Sequence, residues 1–221
     1  MKKQNLRFEL LALCLVLFPI VYALSVYDQI PETMVTHYNI KGEPDGFQEK
    51  NFVYFLILPG VSFMLNLVLA SIPALMPEED QKASTLRMIQ ATRIATLLLL
   101  GGIAISMVQT TDGRSPDYLF RWLGGGIFLL TLLLGNYMKE IKTNEFAGMR
   151  NRFTLSDPEV WKVTHRRSSY WFFYSGLVGL IATVFIETPI LFGASLFILI
   201  GLCLMSWKIS ASEFRKRNPE Q

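Results

Sequence analysis

Two histidines, His37 and His165, are the only imidazoles in this 221-residue chain. Each sits in a polar segment rich in groups that bond or titrate. The first segment reads IPETMVTHYNIKGEPDGFQEKN. Thr33–Ile40 is rich in β-branched and aromatic residues and favours an extended strand. Glu43-Pro44-Asp45-Gly46 carries a type I turn signature, with Pro in the first central position and Gly last. A strand folding back after that turn brings His37, Asn39, Asp45 and Lys50 together. The alternative is a solvated loop whose polar residues only cap turns.

The second segment reads KEIKTNEFAGMRNRFTLSDPEVWKVTHRRSS. Ser156-Asp157-Pro158-Glu159 has the form of a capping box, so a helix is expected from Asp157. On it Trp161 and His165 stand four residues apart and share a face. With Lys162, Arg166 and Arg167 beside it, Trp161 suits a helix lying near lipid headgroups. The alternative is an ordinary basic membrane anchor.

Neither segment assembles a recognisable reaction centre. HExxH, CxxC and Walker-type glycine loops are missing from the sequence. No catalytic residue, metal ligand or cofactor is assigned. Cys14 and Cys203 fall in apolar runs and read as buried, inert thiols.

The elements that carry these segments are apolar and long. Half of the residues (51%) are hydrophobic and only 18% are charged. Six blocks approach the ~20 residues that span hydrocarbon. They are Phe8–Val26, Phe52–Met76, Ile89–Val108, Tyr118–Met138, Tyr170–Glu187 and Pro189–Trp207. A lone span satisfies its backbone only as a helix. The fold expected is therefore all-α, a single membrane domain over residues 1–221 with about six spans. An uncleaved first helix is favoured over a signal peptide.

Lys and Arg set the orientation. With the N-terminus inside, 17 of the 21 fall on the inner side; Lys41, Lys50, Arg114 and Arg121 alone fall outside. That asymmetry predicts both termini in the cytoplasm. The loop 27–51 is then extracellular and the loop 139–169 cytoplasmic, which separates the two histidines by the bilayer. Link Glu187-Thr188-Pro189 makes the last two spans neighbours, and Asp112-Gly113 with Ser115-Pro116 forms a tight outer turn. Arg93 and Arg121 lie near span ends, where their stems reach the interface. Glu9 and Glu187 are expected to reach water. Asn66, in mid-span, is expected to bond between helices. Gly124-Gly125-Gly126 reads as a packing site, and Gly176 with Gly179 as a weaker one.

At its two long loops the sequence resembles the SdpI/YfhL family of bacterial immunity proteins. The outer residues that carry the resemblance are Pro31, His37-Tyr38-Asn39, Gly42, Asp45-Gly46 and Lys50. The inner ones are Gly135-Asn136, Lys139, Asn144, Gly148-Met149-Arg150, Thr154-Leu155, Trp161 and Thr164-His165-Arg166. Thr143, Phe153 and Val163 depart from the family pattern. The resemblance implies a receptor-like protein of the bacterial cell membrane that protects against a secreted peptide toxin. It also implies that a cytoplasmic repressor is held at the membrane. Membrane lipid is a further partner, and no direct contact with nucleic acid is expected. Two other classes remain. In a membrane hydrolase, His165, Asn136 and Arg150 would form a polar cluster, although no nucleophile–base pair is evident. A small transporter would show an inverted repeat with broken helices, which this sequence lacks.

Overall fold

The computed structural model describes residues 2–39, 41–77, 83–113, 116–144, 147–186 and 188–219. Helix α1 (Lys2–Val26) leads through one 3-10 turn (Tyr27–Gln29) into a hairpin of β1 (Thr33–Tyr38) and β2 (Pro44–Glu49). Long helices α2 (Phe52–Leu75), α3 (Ala83–Gln109) and α4 (Asp117–Met138) follow. The short α5 (Arg152–Ser156) precedes α6 (Pro158–Ala182) and α7 (Thr188–Arg217). Local signals set several starts. The Asn51 side chain accepts the Val53 N–H to cap α2, and Pro158 opens α6 where no N–H is needed.

Five helices are long and apolar enough to cross a membrane: α1, α2, α3, α4 and α7. Their outer surface is far more apolar than that of a protein in water, although Phe55, Leu97, Phe128 and Leu191 are buried as well. Large apolar side chains such as Phe18, Ile57, Val68, Phe197 and Leu204 are exposed. Ser62, Asn66, Ser106, Thr131, Ser195 and Ser206 are buried between helices. Small polar groups buried between helices and large apolar groups on the outside suit lipid as the solvent. The chain is a multi-pass, helical membrane protein.

The expected block Tyr170–Glu187 differs most from its helix. Helix α6 begins far earlier, at Pro158, and stops at Ala182. Its apolar part, from Tyr170, rises only ~20 Å, short of the ~30 Å of hydrocarbon. Glu187, Ser115, Lys82 and Arg114 lie outside the described residues, so their expected places go unread.

The helices form two groups. Helices α1, α2 and α3 pack on one another, as do α4, α6 and α7, and the main seam between the groups is α3 against α4. Glycines allow the closest approaches. A Cβ on Gly135, Gly176 or Gly179 would collide with Phe173, Leu132 or Phe128 across the α4–α6 interface. Gly124 and Gly126 face Leu191 and Leu99 in the same way, as expected of packing glycines.

Three expectations fail here. Arg93 does not reach out to the interface. It is 5% exposed, with paired bonds to Glu9 at 2.8 and 2.6 Å and a third to Asn66 at 2.9 Å. The bidentate carboxylate, half-exposed at its own end, compensates a charge that would be costly alone. Asn66 does bond between helices, as expected. Cys14 and Cys203 are free but exposed on the protein surface rather than buried. The cap of α6 is Asp157 rather than Ser156; its carboxylate accepts the Glu159 and Val160 N–H groups. The capping box in this region belongs to α5, between Asn151 and Thr154.

Candidate functional site

The hairpin reverses four residues earlier than its turn signature suggested. The bend spans Asn39–Glu43, and Pro44 already belongs to β2. Two local devices outweigh the Pro44 signal. Gly42 adopts φ +80°, a region open to glycine. The Asn39 side chain accepts the N–H groups of Lys41 and Glu43 at 2.8 and 3.0 Å.

The strands then pair with shifted register between Val35 and Tyr38. Gly46 sits opposite His37, and a Cβ there would lie 2.8 Å from the His37 Cβ. This close approach lets Asp45 meet His37, Nδ1 to Oδ1 at 2.5 Å. The His37 side chain is 71% exposed and that of Asp45 45%. The pair is therefore displayed on the surface. Asn39 bonds the Glu43 carboxylate at 2.9 Å. Lys50 turns away to Glu32 at 3.6 Å and lies over the Tyr27 ring. Of the four groups expected to converge, His37 and Asp45 do; Asn39 braces the turn and Lys50 the base. Pro31 lines a separate cavity of about 520 Å³ with Tyr22, Asp112 and Asp117.

Underneath, the hairpin is anchored. Met34 joins Ala23, Ile30, Phe55 and Val108 in a buried cluster. The Val35 N–H donates to the Thr111 carbonyl at 2.9 Å, and the Tyr38 hydroxyl to the Thr110 carbonyl at 2.5 Å. Burial raises the Tyr38 pKa above its ordinary value, so the phenol stays a donor.

The inner motif is built differently. Trp161 and His165 share a face of α6 as expected, stacked with ring centroids 4.1 Å apart. Both are 1% exposed. Trp161 is thus a core residue, which corrects its expected place among headgroups. Its indole N–H donates to the Ile141 carbonyl at 2.9 Å. His165 Nε2 accepts the Met149 N–H at 2.9 Å, which leaves Nδ1–H to donate to the Trp161 carbonyl at 2.8 Å. Those two bonds fix the neutral tautomer. Burial lowers the His165 pKa from 6.5 to about 4.

The loop before α5 closes over this pair. Gly148 holds φ +120°, and a Cβ on it would strike His165 Nε2. Asn144 is buried and ties Lys142 to Ala147. The Thr154 hydroxyl donates to the Met149 carbonyl at 2.8 Å. Thr164 is fully buried on the same face, and its hydroxyl has no bond among the described residues. Asn136, Lys139, Arg150 and Arg166 are exposed and stay outside the knot. With both His165 nitrogens engaged and buried, the polar cluster weighed for a hydrolase does not form around that ring.

One helix touches both regions. At one end of α3, Val108 supports the hairpin and the residues just beyond accept its bonds. At the other end Met88 packs on Ile141 and Trp161, and Arg87 meets Glu140 at 3.3 Å. Met88 and Val108 are ~30 Å apart along a helix axis, about one hydrocarbon thickness. Sequence reasoning missed this role, as it missed the Glu9–Arg93–Asn66 cluster. A charged residue inside an apolar block was the one visible signal.

Comparison with known families gives two matches. A domain of unknown function, DUF1648, matches residues 14–63. The SdpI/YfhL protein family matches residues 140–209. The outer candidates lie inside the first match, and the inner ones from Asn144 onward inside the second; Asn136 and Lys139 lie in neither. No curated protein and no solved structure matches the chain.

Proposed function

We propose, from the match of residues 140–209 to the SdpI/YfhL protein family, that this chain is a membrane immunity protein with a receptor-like role. It protects its cell against a secreted peptide toxin. The hairpin is its extracellular contact, with His37 and Asp45 at the centre. The other end faces the cytoplasm, and the exposed Lys139, Arg150, Lys162 and Arg166 attract an acidic face of a soluble repressor. In this reading α6 completes a sixth crossing. Trp161, Lys162, His165 and Arg166 stand at its cytoplasmic end, outside the span, and Thr183, whose carbonyl meets Arg121, at the hairpin end.

The observation that carries the proposal is the double attachment of α3. A ligand that shifts the hairpin acts on Thr110 and Thr111, and the same helix ends on the Trp161 knot. Such a ligand signals only by binding one arrangement of the helix better than another.

Survival of cells exposed to the sporulation-delaying peptide toxin tests it. Wild-type protein should protect. Asp45→Ala and His37→Ala should each abolish protection while the protein remains in the membrane at normal level. Full protection by both variants would remove the hairpin from the mechanism. Membrane recruitment of a tagged repressor, lost on charge reversal at Arg150 and Arg166, would test the inward arm separately.

A further inference from the structure

Helices α3 and α6 both lean on α4 and make no substantial contact with each other. Between them, in the half of the bundle near the hairpin, a groove of about 390 Å³ stays open. Its floor is the α4 stripe Tyr118, Trp122, Gly125 and Leu129, with Leu99 on one wall and Leu180 on the other. Spacings of four, three and four residues keep that stripe on one face. It extends ~17 Å along the axis, about half of the ~30 Å hydrocarbon core. The groove therefore has the length of one leaflet.

Its polarity is graded. The deep part is aliphatic. At the mouth stand Arg121 and the aromatic rings of Tyr118 and Trp122, residue types that favour the headgroup boundary. Arg121 is exposed and donates to the Thr183 carbonyl. It has no carboxylate partner among the described residues. A guanidinium has five N–H donors, so most remain for an anion, and its fork suits a phosphate. Gly125 keeps the floor clear: a Cβ there would meet just one neighbour, Thr183 Cγ2, at an ordinary 3.5 Å.

We propose that this groove is a binding site for a glycerophospholipid with an anionic headgroup, its acyl chain along α4 and its phosphate on Arg121. The occupant is membrane lipid rather than a peptide, because the groove opens sideways and its charged group sits at leaflet-surface depth. The site is independent of toxin recognition at the hairpin.

Native mass spectrometry of the purified full chain tests it, with phosphatidylglycerol and phosphatidylethanolamine as probes. Wild-type protein should retain one phosphatidylglycerol in preference to phosphatidylethanolamine. Gly125→Leu fills the floor and should weaken retention roughly tenfold, about 1.4 kcal/mol. Gly193→Leu is the matched control, since a Cβ at Gly193 meets nothing within 4 Å; it should retain lipid as wild type does. Arg121→Gln should erase the preference between headgroups. Equal retention by Gly125→Leu and Gly193→Leu would overturn the site. If Gly125→Leu fails to fold, an unchanged preference in Arg121→Gln would overturn it instead.

Discussion

His37 and His165 each bond through Nδ1, and their surroundings are opposite. His37 meets the Asp45 carboxylate in the open, on a two-stranded ribbon held by its underside. His165 is sealed under Gly148, stacked on Trp161, and bonded at both nitrogens. Water competes for the first contact, so it contributes little to the fold. It excludes no solvent and stays accessible to a partner. The second contact has no competitor, so it holds a loop to a helix. One histidine is arranged for display and the other for support. Substitutions should therefore separate folding from recognition at the two ends.

The largest effect should come from the sealed side. Trp161→Ala removes the largest fully buried side chain, and aromatic-to-alanine changes in cores cost about 3–5 kcal/mol. Little folded protein should survive purification. A normal melting temperature in detergent would show that the knot is no support and break the contrast.

Acid should reveal the same asymmetry. Burial in the folded state lowers the His165 pKa to about 4, below the 6.5 of a free imidazole. Between those values the unfolded chain binds the extra proton. The contribution of His165 is therefore full above about pH 6.5. It drains away as pH falls toward 4, by roughly 3 kcal/mol in total. Subtracting the pH–stability curve of His165→Gln from that of wild type isolates this slope. A flat difference would mean that the ring is solvated.

The Glu9–Arg93–Asn66 cluster extends the comparison to the seam of α1, α2 and α3. Glu9→Gln strands a buried guanidinium and should cost about 1–3 kcal/mol, less than a fully enclosed pair because Glu9 is half-exposed. Adding Arg93→Leu removes the stranded charge and should restore part of the loss. If the double variant is less stable than Glu9→Gln, the arginine has a further role that its partners do not explain.

How much of this was legible beforehand depends on the range of each interaction. The helical character of the apolar blocks, the paired Trp161 and His165, and the extended character of Thr33–Tyr38 are written in local periodicity, whereas the polar extensions of α3, α6 and α7 are not. The hairpin bend was misplaced because two turn signals compete within six residues, and Gly42 with Asn39 outweighs Pro44. Arg93 was misplaced because its partner lies 84 positions away, beyond any helical repeat. A single arginine near a span end looks the same whether it snorkels or pairs. Burial of Trp161 depends on the Ile141–Met149 loop folding over it, which no pattern in that loop announces.

The smallest expected effect on stability is also the sharpest test of the contrast. Asp45→Ala deletes an exposed imidazole–carboxylate contact at the turn-proximal edge of the hairpin, while the anchors at Met34, Val35 and Tyr38 remain. Its folding cost should stay within about 0.5 kcal/mol, measured by thermal unfolding in detergent. The same variant should lose toxin protection. A cost comparable to that of Trp161→Ala would make the His37–Asp45 pair a structural brace, and the hairpin would then have no displayed site distinct from its anchors. Unchanged stability with lost protection is the pattern that a surface built for recognition requires, because the removed groups then matter only to what they meet outside the protein.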